Sequence, residues 1–516
     1  MKTIGSTIIM LALASSLFAD NGKELKLASP DGTHEIVFYQ KQVSPAVNEL
    51  CYRVDYKSQP VVNESRAGLE LDNRIWEMAL GVRNLKQPAC WMDKLEVDSV
   101  TYQPETILTW QPLYGERSSV RDHYRAGTLC LSKKDNSGYR LNIEVRAYNE
   151  GVAFRYFFPE HPKAIFHKVV GDLTEYAVPA GTKAWTEQWA QAFFERLNID
   201  DIKHTVERAL TFELPNGKWA ALADADVDDW CLTKYLVSTD KKNTLTSVMY
   251  SPVDVVTYYA TPWKIVMAAD KPGELLEHND IIQNLNPPCE IADAAAWVKP
   301  GKIMRETTIT TEGAIATIDF CAAHHIPYML FDWQWYMPCT SHDGDATKEV
   351  DKLDMPRVVA YGKEKGVGIW VYVNQHALMK QMRELFPLLR QWGIVGVKSG
   401  FVQYASHRWA TWLHDMVRLA AENHLLMNIH DEYRPSGFSR TYPNLLTQEG
   451  ICGNEEFPDA THNVTLPFTR MINGAADYTI CFFGKRLKTT DDHQREASRG
   501  CCRRRGTVEW IYNLQS

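Results

Sequence analysis

The fold of this chain is decided by residues 328–336, YMLFDWQWY, together with residues 368–376, GIWVYVNQH, and residues 425–432, LLMNIHDE. Each stretch is a short apolar run, of the length of a buried strand, that ends in polar or aromatic residues. Helical segments follow such runs, for example at residues 312–324 and 378–392. This alternation predicts βα units and a parallel sheet.

Five strands are predicted in this second half of the chain, at residues 296–299, 328–332, 368–373, 396–401 and 425–430. In a barrel of βα units the carboxyl ends of the strands meet at one mouth, where active sites lie. Several of the predicted strands end in polar or aromatic residues, at 332–336, 374–376 and 430–432. We therefore expect these residues to share one face of a barrel.

The first half of the chain, from residue 22 to about residue 275, has a different pattern, of short alternating strands and turns. Turns at Pro30-Asp31-Gly32 and at Asn149-Glu150-Gly151 each separate two alternating segments. This pattern predicts a β-sandwich domain over residues 20–275. Residues 276–296, rich in Asn, Pro and Ala, are predicted to link it to a barrel domain at residues 297–490.

Composition and targeting signals limit the possible functions. The 516 residues suffice for two or three domains, and a formal charge of −8 gives no support for binding nucleic acid. Residues 1–19 have one lysine, a short apolar stretch and small residues before Asp20, as in a cleaved secretory signal. No later segment is apolar enough to predict membrane insertion. We expect an exported protein, periplasmic or extracellular, whose 11 cysteines are mostly buried thiols.

Aromatic and acidic residues at the predicted strand ends suit sugar chemistry. Trp333 and Trp335 offer faces for stacking on a pyranose ring, although core or rim aromatics are the alternative reading. Acidic residues lie at 431–432, at Glu449 and at 455–456. Glycoside hydrolysis needs two carboxyl groups, about 5 Å apart for retention and roughly 6.5–9.5 Å apart for inversion. The same carboxylates suit a hard cation such as calcium, and a solvated acidic rim is the alternative.

Longer motifs give a family resemblance. Residues 430–437, HDEYRPSG, residues 440–445, RTYPNL, and residues 462–471, HNVTLPFTRM, resemble glycoside hydrolase family 97. Shorter matches at residues 297–302, 318–320 and 396–398 extend the resemblance over about residues 25–490. The resemblance implies an N-terminal β-super-sandwich, a (β/α)8-type catalytic barrel and a small C-terminal β-domain. It also implies an oligosaccharide substrate, either an α-glucoside or an α-galactoside, and a bound calcium ion.

Site residues are carried over by position from this resemblance. It places the general acid on Glu455 and the calcium ligands on Glu449, on Asp431 and on Glu195 of the N-terminal domain. On the fifth strand Asp431, with Glu432 beside it, stands where the inverting branch has its catalytic base. The residues expected to bind the sugar at the mouth are Asp332, Trp333, Trp335, Lys398 and His430.

Two strand ends depart from the family pattern. The retaining branch has an Asp nucleophile at the end of the fourth strand, where this chain has Gly400 within GVKSGF. Glycine cannot form a glycosyl ester, so the resemblance points to the inverting branch. The third strand ends in Asn374-Gln375-His376, without the carboxylate of that branch. Either His376 assists as base or orienting group, or the activity is weak or absent.

The resemblance stops after Thr490, because residues 491–516 lack the apolar strand and helix expected next. Such a tail is typical of a shifted reading frame or a truncated gene, which predicts a barrel incomplete at its C-terminal end and a missing C-terminal β-domain. A short variant with a basic tail is the alternative. Three functions stay open, namely an inverting α-glycosidase, a degenerate glycan-binding or inactive homologue, and a retaining α-galactosidase. The sequence leaves the oligomeric state open.

Overall fold

The structure of the chain is a computed structural model. It describes residues 23–44, 48–72, 92, 94–134, 138–161, 166–456 and 458–479 in full, and the backbone of residues 18–20, 47 and 513–514. The predicted signal sequence at 1–19 and the tail at 491–516 lie outside the residues that are described in full.

The first half of the chain forms four sheets whose strand pairs are antiparallel. The largest has eleven strands, ten of them in the order Phe18–Asp20, Leu95–Trp110, Val120–Lys133, Arg140–Tyr148, Gly151–Phe158, Trp263–Ala269, Trp219–Ala225, Leu210–Glu213, Lys183–Thr186 and Glu195–Asn198. The eleventh, Tyr259–Ala260, pairs with Gly151–Phe158. A four-stranded sheet consists of Glu24–Ala28, His34–Ser44, Val47–Tyr56 and Gln59–Arg66. Two three-stranded sheets consist of Val253–Val256, Phe166–Asp172 and Leu69–Leu71, and of Glu175–Ala177, Thr244–Met249 and Thr233–Val237.

The predicted β-sandwich is confirmed, and its core lies between the large sheet and the four-stranded sheet. Phe38 and Tyr52 of the four-stranded sheet pack on Phe154 of the large sheet, with ring centroids 5.1 Å and 5.0 Å from it. Both predicted hairpin turns are present, and at the first of them Gly32 has a φ of +75° that glycine adopts at little cost. Buried and exposed side chains alternate along these strands, as the sequence pattern predicted.

Residues 272–297 carry three short helices, Pro272–Glu277, Asp280–Asn284 and Ala294–Trp297. Leu275, Ile281 and Leu285 are buried against the large sheet, so this part of the predicted linker is packed. The prediction of a strand at residues 296–299 is wrong. Residues 294–297 are helical because three consecutive alanines favour a helix, and the first barrel strand starts at Gly301.

The second half of the chain contains six parallel strands, each paired with the next in chain order. They are Gly301–Glu306, Tyr328–Phe331, Gly368–Asn374, Gly396–Gly400, Leu426–Ile429 and Leu445–Gln448. Asn513–Leu514 pairs antiparallel with the first of them. The other four predicted strands are confirmed to within one residue at either end. In the described part of the chain this is a (β/α)8-type barrel that is incomplete at its C-terminal end.

Helices connect these strands on the outside of the barrel. The longer ones are Thr311–Ala323, Met355–Lys365, Gln375–Trp392 and His407–Glu422, and a short one is Ala460–Thr465. Single 3₁₀ turns occur at Ile199–Asp201, Phe438–Arg440, Asn454–Glu456, Leu466–Phe468 and Arg470–Asn473. None of the helices in the described part of the chain is long and apolar enough to cross a membrane. Of the seven cysteines described, five are buried, as expected, and all seven are free thiols.

The barrel interior is layered along the strands. An apolar cluster at the amino-terminal end of the sheet contains Ile303, Tyr328, Leu330, Trp370, Leu426 and Leu446. Because side chains alternate along a strand, the residue two positions further on faces the same interior. At the next interior level toward the mouth every strand has a polar residue: Arg305, Asp332, Tyr372, Lys398, Asn428 and Gln448. The sequence therefore places a polar layer of side chains at the mouth and an apolar layer beneath it.

Candidate active site

Asp332 anchors one side of the polar layer at the end of the second barrel strand. Its Oδ2 lies 3.1 Å from Arg305 Nε and 3.4 Å from Lys398 Nζ, and all three residues come from different strands. Burial by itself raises the pKa of Asp332, but the charges of Lys398 and Arg305 outweigh burial and hold the pKa below its usual value. Asp332 is therefore an ionised carboxylate that fixes the buried Lys398 and the partly buried Arg305 in the mouth.

His430 and Glu449 form a buried pair at the ends of the fifth and sixth strands. His430 Nδ1 donates to Glu449 Oε2 across 2.8 Å. Burial lowers the pKa of His430, but the negative charge of Glu449 and the hydrogen bonds to Glu449 and Asp477 outweigh it and raise the pKa to about 10. His430 is accordingly an imidazolium at neutral pH.

Asp431 joins this pair to form a group with metal-binding geometry. Ligand atoms of His430, Asp431 and Glu449 lie within 4.8 Å of one another. Asp431 donates its backbone N–H to Glu449 Oε2 at 2.6 Å, and its own Oδ2 accepts the N–H of Val402 at 3.0 Å. Its φ of +62° turns the chain sharply at this point. These contacts fix the Asp431 side chain next to Glu449.

Glu455 lies in the loop that follows the sixth strand. It is exposed, in the 3₁₀ turn Asn454–Glu456. The start of this loop is held by Arg470, which is fully buried and donates to the carbonyl oxygens of Glu449 at 2.7 Å and of Gly450 at 2.6 Å. Glu455 follows Glu449 by six residues, and its carboxyl group is open to solvent, where a substrate that enters from outside can meet it.

Asp477 is a member of the site that sequence reasoning missed. It is completely buried, and its Oδ2 accepts from Asn428 Nδ2 at 2.5 Å and lies 3.4 Å from His430 Nε2. Asn428 and Arg305 were also missed. Counting two residues back from a polar strand end would have found Asn428, but Asp477 follows no strand or motif that could have marked it.

Glu432 and Glu195 lie toward the contact between the two domains. Glu432 Oε2 accepts the backbone N–H of Ala190 at 2.8 Å, and burial raises the pKa of Glu432. Glu195 is exposed and is outside the metal-suited group formed by the described residues. The segment before it nevertheless reaches the barrel, since Phe194 N–H donates to His462 Nδ1 at 3.3 Å.

The residues at the end of the third strand are engaged in local structure. Asn374 Oδ1 accepts the N–H of His376 at 2.9 Å and so caps the following helix. Gln375 Oε1 accepts the N–H of Gln403 at 2.7 Å. The His376 ring packs edge-on against His342, with centroids 4.0 Å apart, and its Nδ1 is buried without a hydrogen-bond partner among the described residues.

The two tryptophans after the second strand differ in their exposure to solvent. Trp333 is 43 % exposed and free to contact a ligand. Trp335 is wholly buried in the barrel core and donates its indole N–H to the carbonyl oxygen of Tyr372 at 2.5 Å. The prediction that Trp335 binds the sugar is corrected, because a ring packed on all sides has no face for a pyranose.

Gly400 lies against the ring of Tyr372 on the neighbouring strand. A Cβ built on Gly400 would lie 2.2 Å from Tyr372 Cε2 and 2.8 Å from its hydroxyl oxygen. Both are far below the distance of a van der Waals contact. The end of the fourth strand therefore has no room for any side chain while Tyr372 keeps this position.

Comparison with known proteins gives matches over most of the chain. Residues 27–288 match the family model described as Glycosyl-hydrolase 97 N-terminal, and residues 295–451 match that of Glycoside hydrolase 97. A retaining alpha-galactosidase of Bacteroides thetaiotaomicron is 23 % identical over 92 % of this chain and 75 % of its own length. A probable retaining alpha-galactosidase of Streptomyces bingchenggensis is 26 % identical, over 70 % of this chain and 60 % of its own length.

Solved structures show the same fold. A family 97 enzyme variant from Pseudoalteromonas sp. strain K8, in complex with panose, superposes with a TM-score of 0.79 at 23 % identity. The match covers 89 % of this chain and 75 % of that one. A beta-arabinopyranosidase superposes with a TM-score of 0.76 at 17 % identity, over 91 % of this chain and 78 % of that one.

Proposed function

Because this chain belongs to glycoside hydrolase family 97, we propose that it hydrolyses the α-glycosidic bonds of α-glucosides or related oligosaccharides, with inversion at the anomeric carbon. The observation that carries the proposal is the group of His430, Asp431 and Glu449 at one barrel mouth, with ligand atoms within 4.8 Å of one another. Carboxyl groups are what this reaction needs, and the carboxyl ends of barrel strands are where active sites lie.

Glu455 is assigned the role of general acid, which protonates the leaving-group oxygen. Asp431 is assigned the role of general base, which takes a proton from the attacking water. The N–H of Val402 donates to Oδ2 of Asp431. Oδ1 of Asp431 has no partner among the described residues, so this oxygen is available to the attacking water. Asp332 and Lys398 lie in the same mouth as partners for sugar hydroxyls, with Trp333 as an exposed aromatic face.

Inversion is supported by the fourth strand. A retaining mechanism needs a carboxylate that attacks the anomeric carbon, and Tyr372 fills the space into which a side chain at position 400 would extend. The retaining alternative is favoured instead by the two relatives named as retaining alpha-galactosidases. It would require a nucleophile from another position of this chain.

A degenerate glycan-binding homologue is the second candidate function, favoured by the third strand. Asn374 and Gln375 are amides that hold neighbouring backbone, so this strand end contributes no carboxylate base and leaves His376 as its only titratable group. Binding at the mouth would then persist without turnover, because Trp333, Asp332 and Lys398 do not depend on that base.

Calcium is proposed as the cofactor of the mouth. Asp431 and Glu449 offer the carboxylate oxygens that this hard cation prefers. Glu195 of the N-terminal domain is a further candidate ligand. When bound, calcium would supply positive charge that polarises groups on the sugar. The residues themselves hold the carboxylates in place through the backbone contacts of Asp431.

The anomer first released from an α-glycoside tests this function directly. We expect ¹H NMR of a freshly started reaction to show the β-anomer. Release of the α-anomer would replace inversion by retention. Absence of any hydrolysis, with binding of the same oligosaccharide intact, would establish the glycan-binding alternative. Fractionation of the expressing cell, with sequencing of the mature N-terminus, tests the proposed export to the periplasm or the exterior.

A further inference from the structure

A second concave surface lies outside the candidate active site, between two barrel helices and the N-terminal domain. This groove has a volume of about 470 Å³. The helix Gln375–Trp392 contributes Met379, and the helix His407–Glu422 contributes Trp409 and Trp412. Asp229 of the N-terminal domain completes one wall.

Two tryptophans form the aromatic part of this outer groove. Trp409 and Trp412 are three residues apart on one helix, which places them on the same face. Their ring centroids are 6.0 Å apart and their planes meet at 84°, so they present two faces in different directions. Neither indole N–H has a hydrogen-bond partner within the described part of the chain. Both rings are half-buried, and each keeps a donor at its edge.

Polar groups beside the rings are also available to a ligand. Asp229 Oδ1 accepts from His407 Nε2 at 2.9 Å and from Thr411 at 3.2 Å, while Oδ2 has no partner among the described residues. The Arg408 guanidinium lies 5.5 Å from the centre of the Trp409 ring and forms no hydrogen bond with any described residue. Met379, 46 % exposed, supplies a flexible apolar contact.

The groove lies close to the barrel mouth. The fourth strand ends at Gly400, Val402 donates to Asp431, and the helix that carries both tryptophans starts at His407. Since an α-helix rises about 1.5 Å per residue, Trp412 lies within roughly 8 Å of that start. From Val402 to His407 the chain advances five residues, at most about 18 Å, so a polymer several sugars long that occupies the mouth is able to reach this surface.

We propose that this groove is an accessory binding site for an α-linked polysaccharide. Aromatic faces set beside planar hydrogen-bonding groups are complementary to sugar rings, which have an apolar face and a rim of hydroxyl groups. The polysaccharide as occupant rests on the proposed function, whereas the groove itself is separate from the groups assigned to catalysis. The site holds a distant part of the polymer and so raises its concentration at the mouth.

Native affinity electrophoresis with soluble starch in the gel tests the proposal. We expect retardation of the wild-type protein relative to a gel without polysaccharide. Trp409→Ala with Trp412→Ala is expected to raise the dissociation constant roughly fivefold or more, because the loss of one aromatic contact costs a factor of about 2 to 10. Trp297→Ala is the matched control, since this half-buried ring stacks on His424 elsewhere, and it is expected to bind as the wild type does.

A second measurement separates this proposal from the proposed function. The kcat/KM for a small aryl α-glycoside, which fills the mouth alone, is expected to be unchanged in the double variant. Equal retardation of the wild type and the double variant by starch, or no retardation of the wild type, would overturn the proposal of an accessory site in this groove. A wild type that is retarded but hydrolyses no α-glycoside would support the groove and contradict the proposed function.

Discussion

The carboxylate of Glu432 accepts a hydrogen bond from the backbone N–H of Ala190 across the contact between the two domains, with an O···N distance of 2.8 Å. The adjacent carboxylate, that of Asp431, faces Val402 and the buried pair of His430 and Glu449. Two neighbouring acidic residues thus face different surroundings, so we expect them to contribute differently to the reaction.

Asp431→Asn and Glu432→Gln are therefore expected to differ in their kinetics. Loss of a general base lowers kcat by about 10²- to 10⁴-fold, and we expect this for Asp431→Asn. Glu432→Gln keeps an acceptor for Ala190 and is expected to lose less than about tenfold in kcat. Steady-state kinetics on one oligosaccharide measure both. A greater loss in the Glu432 variant would move the base to that residue.

Glu455→Gln is expected to show the signature of a missing general acid. Natural α-glycosides have poor leaving groups, so their kcat should fall by about 10²-fold or more. An aryl glycoside whose leaving group needs no proton should be affected far less. Glu456→Gln, one residue further on in the same turn, is the matched control and should retain activity. Equal losses on both substrates would reject the role of Glu455.

Gly400→Ala is expected to destabilise the barrel, because the new methyl group would lie 2.2 Å from Tyr372 Cε2. Overpacking of this kind costs about 1–3 kcal/mol in the free energy of unfolding. Ser399→Ala, which removes an atom on the opposite side of the same strand, should change stability far less. Urea unfolding compares the two variants. Full stability of Gly400→Ala would show that Tyr372 moves aside freely and that position 400 has room for a side chain.

Acid is expected to destabilise the N-terminal domain through two buried histidines. Burial lowers the pKa of His34 and of His167 to about 4, from 6.5 in the unfolded chain. Because the unfolded state binds the proton first, the stabilisation is complete above pH 6.5 and is lost as the pH falls toward 4. Each histidine contributes about 3 kcal/mol to this loss of the free energy of unfolding.

His34→Gln isolates one of these contributions. Glutamine does not titrate, and its amide can donate to the carbonyl oxygen of Ala268 as His34 Nε2 does at 3.1 Å. The free energy of unfolding, measured with urea at pH 7.5 and at pH 4.5, should fall less in the variant than in the wild type. An identical fall in both proteins would contradict the assignment.

Calcium is expected to raise the melting temperature of protein that has been treated with a chelator. A ligand that binds the folded state stabilises it by about 2.7 kcal/mol at 100 times its dissociation constant. Glu449→Gln removes one of the two carboxylates in the group at the mouth and should abolish the rise. Magnesium at the same concentration is the control ion. A rise that persists in the Glu449 variant would place the ion elsewhere.

Most of the barrel framework could be predicted from the sequence. Short apolar runs separated by helical segments place four of the strands to within one residue, because strand and helix periods are local properties of the chain. The error at 296–299 arose where an apolar run is also rich in alanine, which favours a helix. Local pattern also identified the strand ends, and with them Asp332, His430 and Asp431.

The role of each strand-end residue could not be predicted in the same way. Trp333 and Trp335 are two positions apart, and only packing shows that one is exposed and the other lies in the core. Asp477 enters the site from a distant segment, so no pattern around it signals its contact with Asn428. The same holds for Glu432, whose partner Ala190 is 242 residues away.

By itself the sequence determined the order of the two domains, the mouth at which polar residues collect and the absence of a side chain at position 400. These follow from residue types and from periodicity, which depend on neighbours along the chain. The tertiary structure decided which carboxylates share a cluster, which one contacts the N-terminal domain and that Tyr372 fills the space beside Gly400. Those relationships depend on distances between strands, and only the folded chain fixes them.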